Sequence, residues 1–170
     1  MGPAFAAVCA GIAALLEATL GSRYHILDSQ LQIALIFVVA TTIVYGFSEG
    51  MTWAFVGGLC LDFFIPVPNR PLGSTVFELL IVVALVAAAE PLLSRRRYPG
   101  VIAAVAIVTP IFLVVSNVTS GLINPPSPHL GLRDLVLAAI ANAIVAAFLS
   151  PLVIAVKQRS EKRDRLIWWR

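Results

Sequence analysis

Charge is what this sequence has least of. Of 170 residues, 12 are Lys or Arg and 9 are Asp or Glu, so charged side chains make up 12%. A soluble domain carries about a quarter. This composition excludes an ordinary soluble domain. The net charge of +3 does not point to nucleic acid either. The basic residues sit at a few loop and tail positions, as orientation signals of a membrane protein do. Cysteine and histidine are nearly absent. Cys9 and Cys60 both lie in apolar runs, with no CxxC pair, so packing is their expected role. His25 and His129 fall in expected loops. The sequence has no GxxxxGK[ST], HExxH or GxSxG pattern. We therefore expect no enzyme, no cofactor and no metal ligand set.

What remains is apolar. Hydrophobic residues form 59% of the chain and mean hydropathy is +0.94. They come in long blocks, not in alternation. Runs of about 17–25 apolar residues match the length that crosses ~30 Å of hydrocarbon as a helix. Without alternating barrel strands, helices are the only spanning solution for the backbone. The expected fold is an all-α, polytopic bundle of six transmembrane helices. The spans are placed at 3–21, 31–47, 50–66, 72–92, 100–123 and 133–156. The N-terminal run is preceded by no Lys or Arg and continues into Glu17, so it reads as a first span and not as a cleaved signal. Residues 1–156 are expected to form the membrane domain and 157–170 a basic cytoplasmic tail. The segment "GFSEG" at Gly46–Gly50 reads as a tight turn between the second and third spans. Pro110 and Pro151 lie inside the fifth and sixth spans, where each removes a backbone hydrogen bond.

Six spans put both termini on one side. With that side cytoplasmic, Arg95, Arg96, Arg97, Lys157, Arg159, Lys162, Arg163, Arg165 and Arg170 lie inside, and Arg23, Arg70 and Arg133 outside. The ratio, 9 to 3, follows the positive-inside rule and predicts cytoplasmic termini. The tail "KQRSEKRDRLIWWR" is expected to prolong the sixth helix past the membrane and to bring Trp168 and Trp169 back onto lipid or protein.

The few polar side chains inside the spans carry the functional question. A carboxylate in hydrocarbon needs a partner or a wet cavity. Asp62, Glu78, Glu17 and Asn117 are expected in the outer third of the bundle, Asn142 near mid-depth, and Glu90 at the inner boundary beside Arg95 and Arg96. One reading is an outward polar concavity lined by Asp62 and Glu78 with Asn117 behind. The other is structural, with each residue bonded within the fold. Asp62 precedes the elbow "IPVPNRPLG", where its carboxylate can accept loop N–H bonds or pair with Arg70. Gly73 supplies permissive backbone, and Ser74 a hydroxyl near the next helix. On the third span, Gly50, Ala54 and Gly58 have the small-xxx-small spacing of helix contacts in lipid, internal or with a partner.

The stretch "FVGGLCLDFFIPVPNRPLG" resembles a motif of the rod-shape-determining membrane protein MreD family. The matching positions are Gly58, Leu59, Asp62, Pro68 or Pro71, Leu72 and Gly73; the elbow here is lengthened by "VPNR". The resemblance covers essentially the whole chain in length and span count. It implies a non-catalytic scaffold of the bacterial cell-elongation machinery, in the plasma (inner) membrane. The implied partners are a bitopic MreC-like protein, with MreB, RodA and the class B penicillin-binding transpeptidase nearby. It also implies a fold like the substrate-binding S components of energy-coupling-factor transporters. That makes a vitamin-binding transport subunit the alternative. The residues expected at a partner surface are Gly58, Asp62, Pro68, Arg70, Gly73, Glu78 and Asn117.

Overall fold

The computed structural model describes residues 3–21, 25–26, 29–66, 71–93, 97–121 and 131–167. Six α-helices carry the fold: α1 (Pro3–Leu16), α2 (Ile33–Tyr45), α3 (Phe47–Phe64), α4 (Ser74–Leu93), α5 (Arg97–Gly121) and α6 (Leu132–Ile167). A π-helical turn, Glu17–Gly21, prolongs α1. Beyond it a two-residue antiparallel ladder pairs β1 (His25–Ile26) with β2 (Ser29–Gln30), and β2 rests against α6. The end of the bundle that holds this ladder is called here the hairpin end, and the opposite one the tail end.

Among the described residues, three helices are long and apolar enough to cross a bilayer, over Ser74–Pro91, Tyr98–Ser120 and Leu132–Arg159. The second expected span is shorter than its apolar run. Helix α2 covers 13 residues, about 20 Å at the usual helical rise. It is also the axis of the fold. Eleven of its residues are buried, and it packs against all five other helices. A helix apolar on every side belongs in an interior. Because its ends meet protein groups, α2 need not match the thickness of a bilayer. The expected "GFSEG" turn is likewise corrected. Gly46 alone separates α2 from α3, with φ of 101°, and Phe47 already begins the next helix.

Packing around α2 is close. Trp53 of α3 stacks on Phe37 of α2, with ring centroids 5.4 Å apart. The core is built mainly from Val, Ala, Leu and Ile, including Leu35, Ile36, Val82, Val83, Val101 and Val105. Large apolar side chains stand on the outside as well: Phe5, Val8 and Ile12 on α1, Phe77 on α4, Ile107 on α5 and Phe148 on α6 are exposed. Such a number of exposed large apolar side chains fits a surface that meets apolar surroundings.

Helix α6 runs unbroken through the expected boundary at 156/157 to Ile167. Its 36 residues amount to about 54 Å, well beyond a ~30 Å hydrocarbon layer. The helical continuation of the tail is thus observed to Ile167, while Trp168 and Trp169 lie outside the described residues. Pro151 has no N–H to offer the carbonyl of Ala147 four residues back. The hydroxyl of Tyr98, at the start of α5, donates to that carbonyl at 3.0 Å. A tyrosine of one helix thus satisfies the acceptor that a proline of another leaves open.

Candidate functional site

At the hairpin end, buried or partly buried side chains of one helix accept N–H groups at the start of another. The first N–H groups of a helix have no partner within it, and a side-chain oxygen usually supplies one from nearby in sequence. Here the oxygens come from elsewhere. The Asp62 carboxylate, at the end of α3, accepts the Gly73 N–H at 2.6 Å, just ahead of α4. Gly73 sits at φ 95°, in the left-handed region that favours glycine. Ser74 does not cap the helix; its hydroxyl donates to the Pro71 carbonyl at 2.7 Å. The expected device, an acid that fixes where α3 ends and α4 begins, is present through Gly73. Pro68 and Arg70 lie outside the described residues.

The N-terminus of α2 is held by two other helices. Glu17, in the π-helical turn after α1, accepts the Ala34 N–H at 2.6 Å. Asn142 lies ten residues into α6, about 15 Å along its axis. Its Oδ1 accepts the Gln32 N–H at 3.1 Å, and its amide donates to Gln32 Oε1 at 3.4 Å. At the other end of α2, the Lys157 ammonium donates to the Val44 carbonyl and lies 5.5 Å from the centre of the Tyr45 ring. A carboxylate at the N-terminus and an ammonium at the C-terminus both complement the helix dipole.

Glu78 is only 1% exposed and faces α5. Its Oε1 accepts the Thr119 hydroxyl at 2.5 Å. What it contributes is the relative position of α4 and α5, not a surface carboxylate. Asn117, expected behind it, is partly exposed and makes no hydrogen bond among the described residues. Positions 117 and 119 lie about 200° apart around a helix, so only one of them can face α4. The sequence signal for Thr119 was weak, since hydroxyls commonly return to their own helix backbone. Gln32 and Lys157 were missed as well. For Gln32 the available clue was a polar residue directly before the apolar run 33–40; for Lys157 nothing local was available.

Gly58 is buried where α3 meets α4. A Cβ there would lie 2.7 Å from the Val76 Cα and 2.8 Å from its N. The third-span glycine face therefore packs inside the bundle at this position. Glu90 is partly exposed, and its expected arginine partners Arg95 and Arg96 lie outside the described residues.

A concave surface opens elsewhere, between α5 and α6. It is a groove of about 650 Å³ running past Ile102, Ala106 and Pro110 on one side and Ala139, Ala143 and Ala147 on the other. Its lining side chains are all apolar. No group of three or more potential metal ligands occurs among the described residues.

The role of Asp62 can be measured. Asp62→Ala should lower unfolding stability by about 1–2 kcal/mol, because the Gly73 N–H loses its acceptor in a partly buried site. Asp62→Asn keeps an oxygen there and should cost less than half as much. Titration with a denaturing detergent, followed by circular dichroism, reads both. Equal losses in the two variants would show that charge, and not the hydrogen bond, fixes the elbow.

In comparisons with known proteins, no family model, curated protein or solved structure matches the chain.

Proposed function

We propose that this chain is a non-catalytic scaffold subunit of the bacterial cell-elongation machinery, embedded in the plasma membrane with both termini cytoplasmic. In this reading all six helices lie within the bilayer and the bundle has the S-component type of fold. It binds an MreC-like bitopic protein and works beside RodA and the class B penicillin-binding transpeptidase. The observation that carries this choice over vitamin transport is the use made of the polar side chains. Asp62 and Glu78, the carboxylates suited to a ligand pocket, are engaged by Gly73 and Thr119. A pocket for a polar small molecule needs convergent polar groups left over to orient it. A partner that presents an apolar helix needs none. Three of the MreD-like positions, Gly58, Asp62 and Gly73, act where α3 meets α4, at the hairpin end.

Affinity purification from crosslinked membranes tests this. The expected result is recovery of a single-span protein with an extracytoplasmic segment. Failure to recover one, together with a vitamin-sized ligand bound at submicromolar concentration, would replace the scaffold with the transporter. Orientation is tested separately, in a background with Cys9 and Cys60 replaced by alanine. An impermeant thiol reagent on intact cells should label Ser127→Cys and not Ser94→Cys. The reverse pattern would invert the topology.

A further inference from the structure

The outward side of α6 changes from apolar to basic along one line. Phe148, Leu152 and Ala155 are exposed, and Arg159 is the next exposed residue on their side. At about 100° per residue the four fall within about 60° of one another around the helix. The helix continues to Ile167, so positions 162 and 163 prolong this stripe, and the sequence places Lys and Arg there. Positions 161 and 164, which are Glu and Asp, come round on the opposite side, within about 40° of Lys157. Lys157 itself meets the Val44 carbonyl of α2. Residues three and four apart are neighbours on a helix. Position 161 therefore brings an acid beside Lys157 and Arg165, whereas Arg159, Lys162 and Arg163 neighbour one another and no acid. A like-charge pair at this spacing costs a helix stability. Three such cations on one side point to an anion that the helix does not supply.

We propose that this stripe holds an anionic phospholipid of the tail-side leaflet, with an acyl chain along Phe148 and Leu152 and the phosphate at Arg159, Lys162 and Arg163. This rests on the membrane-spanning part of the reading above, and not on the orientation or on any protein partner. Lengths decide for a lipid over an acidic protein. Phe148 to Arg159 is about 16 Å along the helix, close to the ~15 Å of one leaflet's hydrocarbon. From Ala155, the last apolar residue before the cations, Arg159 and Arg163 lie about 6 and 12 Å further on. A headgroup layer is about 5–8 Å deep. Side chains on a helix lean toward its N-terminus, here toward the membrane, and long basic ones reach back to the headgroups. An acid on a soluble protein would have to enter that layer to reach Arg159. A phospholipid is already in it, and its chain and phosphate occur in the order of the stripe.

The test uses the full chain, with Cys9 and Cys60 replaced by alanine, in phosphatidylcholine liposomes. A dye at Gln158→Cys, beside the stripe, is quenched by lipids that carry a nitroxide near the headgroup. Labelled phosphatidylglycerol should be preferred over labelled phosphatidylcholine at least ten-fold, since each basic residue near an anionic surface contributes about five-fold. A dye at Leu72→Cys, at the hairpin end, should show no preference. Replacing Arg159, Lys162 and Arg163 together by glutamine should abolish the preference, whereas Arg159→Lys with Arg163→Lys should keep it, which separates lost charge from lost folding. Glu161→Gln with Asp164→Gln should leave it within about two-fold; a rise as large as the fall in the glutamine variant would mean that net charge acts and not the stripe, and would overturn the proposal. Millimolar inorganic phosphate should not compete, and competition would overturn the lipid as ligand. Equal quenching by the two lipids in the parent chain would overturn the proposal and pass the stripe to an acidic protein. Alkaline carbonate extraction separates the two claims. Release from the membrane would overturn the membrane reading and the lipid site with it, whereas an integral chain without the preference overturns the lipid site alone.

Discussion

Gly58→Ala is expected to destabilise the bundle by about 3 kcal/mol, near the upper end of what overpacking a core costs. The added carbon would sit 2.7 Å from the Val76 Cα and 2.8 Å from its N. Those are backbone atoms, so no rotamer change relieves the clash, and α3 must move away from α4. The neighbouring position is the control. Gly57 is also buried, yet a Cβ there meets nothing within 4 Å. Alanine is better than glycine in a helix by about 1 kcal/mol, so Gly57→Ala should be neutral or stabilising. The two substitutions are chemically identical and one residue apart. Unfolding by a denaturing detergent reads the difference directly. Similar midpoints for the two variants would mean that α3 and α4 do not approach at Gly58 as described.

The second large effect is expected at Asn142. It is fully buried and serves both the backbone and the side chain of Gln32. Asn142→Leu strands a buried N–H and a buried amide at once. At about 1–3 kcal/mol for each group left unsatisfied, a loss of about 2–4 kcal/mol follows. Gln32→Leu alone should cost less, because Asn142 keeps the backbone bond. In the double variant the side-chain amide is gone from both partners, so the combined loss should fall short of the sum by about 1 kcal/mol or more. Strict additivity across this cycle would show that the two residues do not interact.

The parts of this structure that were legible in the sequence are those decided by local composition. Long apolar blocks gave six helices, and the tail charges did not stop α6. The acid before the prolines proved to accept an elbow N–H, from Gly73. What was not legible depends on how helices turn about their axes. Nothing local distinguishes Asn117 from Thr119 as the residue that meets Glu78. The length of α2 was misjudged for a related reason. Its apolar run predicts a full span, but the helix starts where Asn142 and Glu17 take up its first N–H groups, and ends at Gly46. Both limits are set by residues that only the fold brings near, or by a single backbone angle. Hydropathy records neither.

One helix, α6, grips α2 at both of its ends, through Asn142 at Gln32 and Lys157 at Val44. The residues it grips precede it by 110 and 113 positions. At about 5–20 residues added per second, the ribosome delivers the clasp roughly 5–20 s after the helix it holds. Throughout that interval α1, α3, α4 and α5 can already pack on α2, but of the side chains that hold its two ends only Glu17 has been made. The middle of the molecule is therefore the last part to become final. A nascent chain halted before Asn142 would hold α2 by packing and by Glu17, without the clasp at either end.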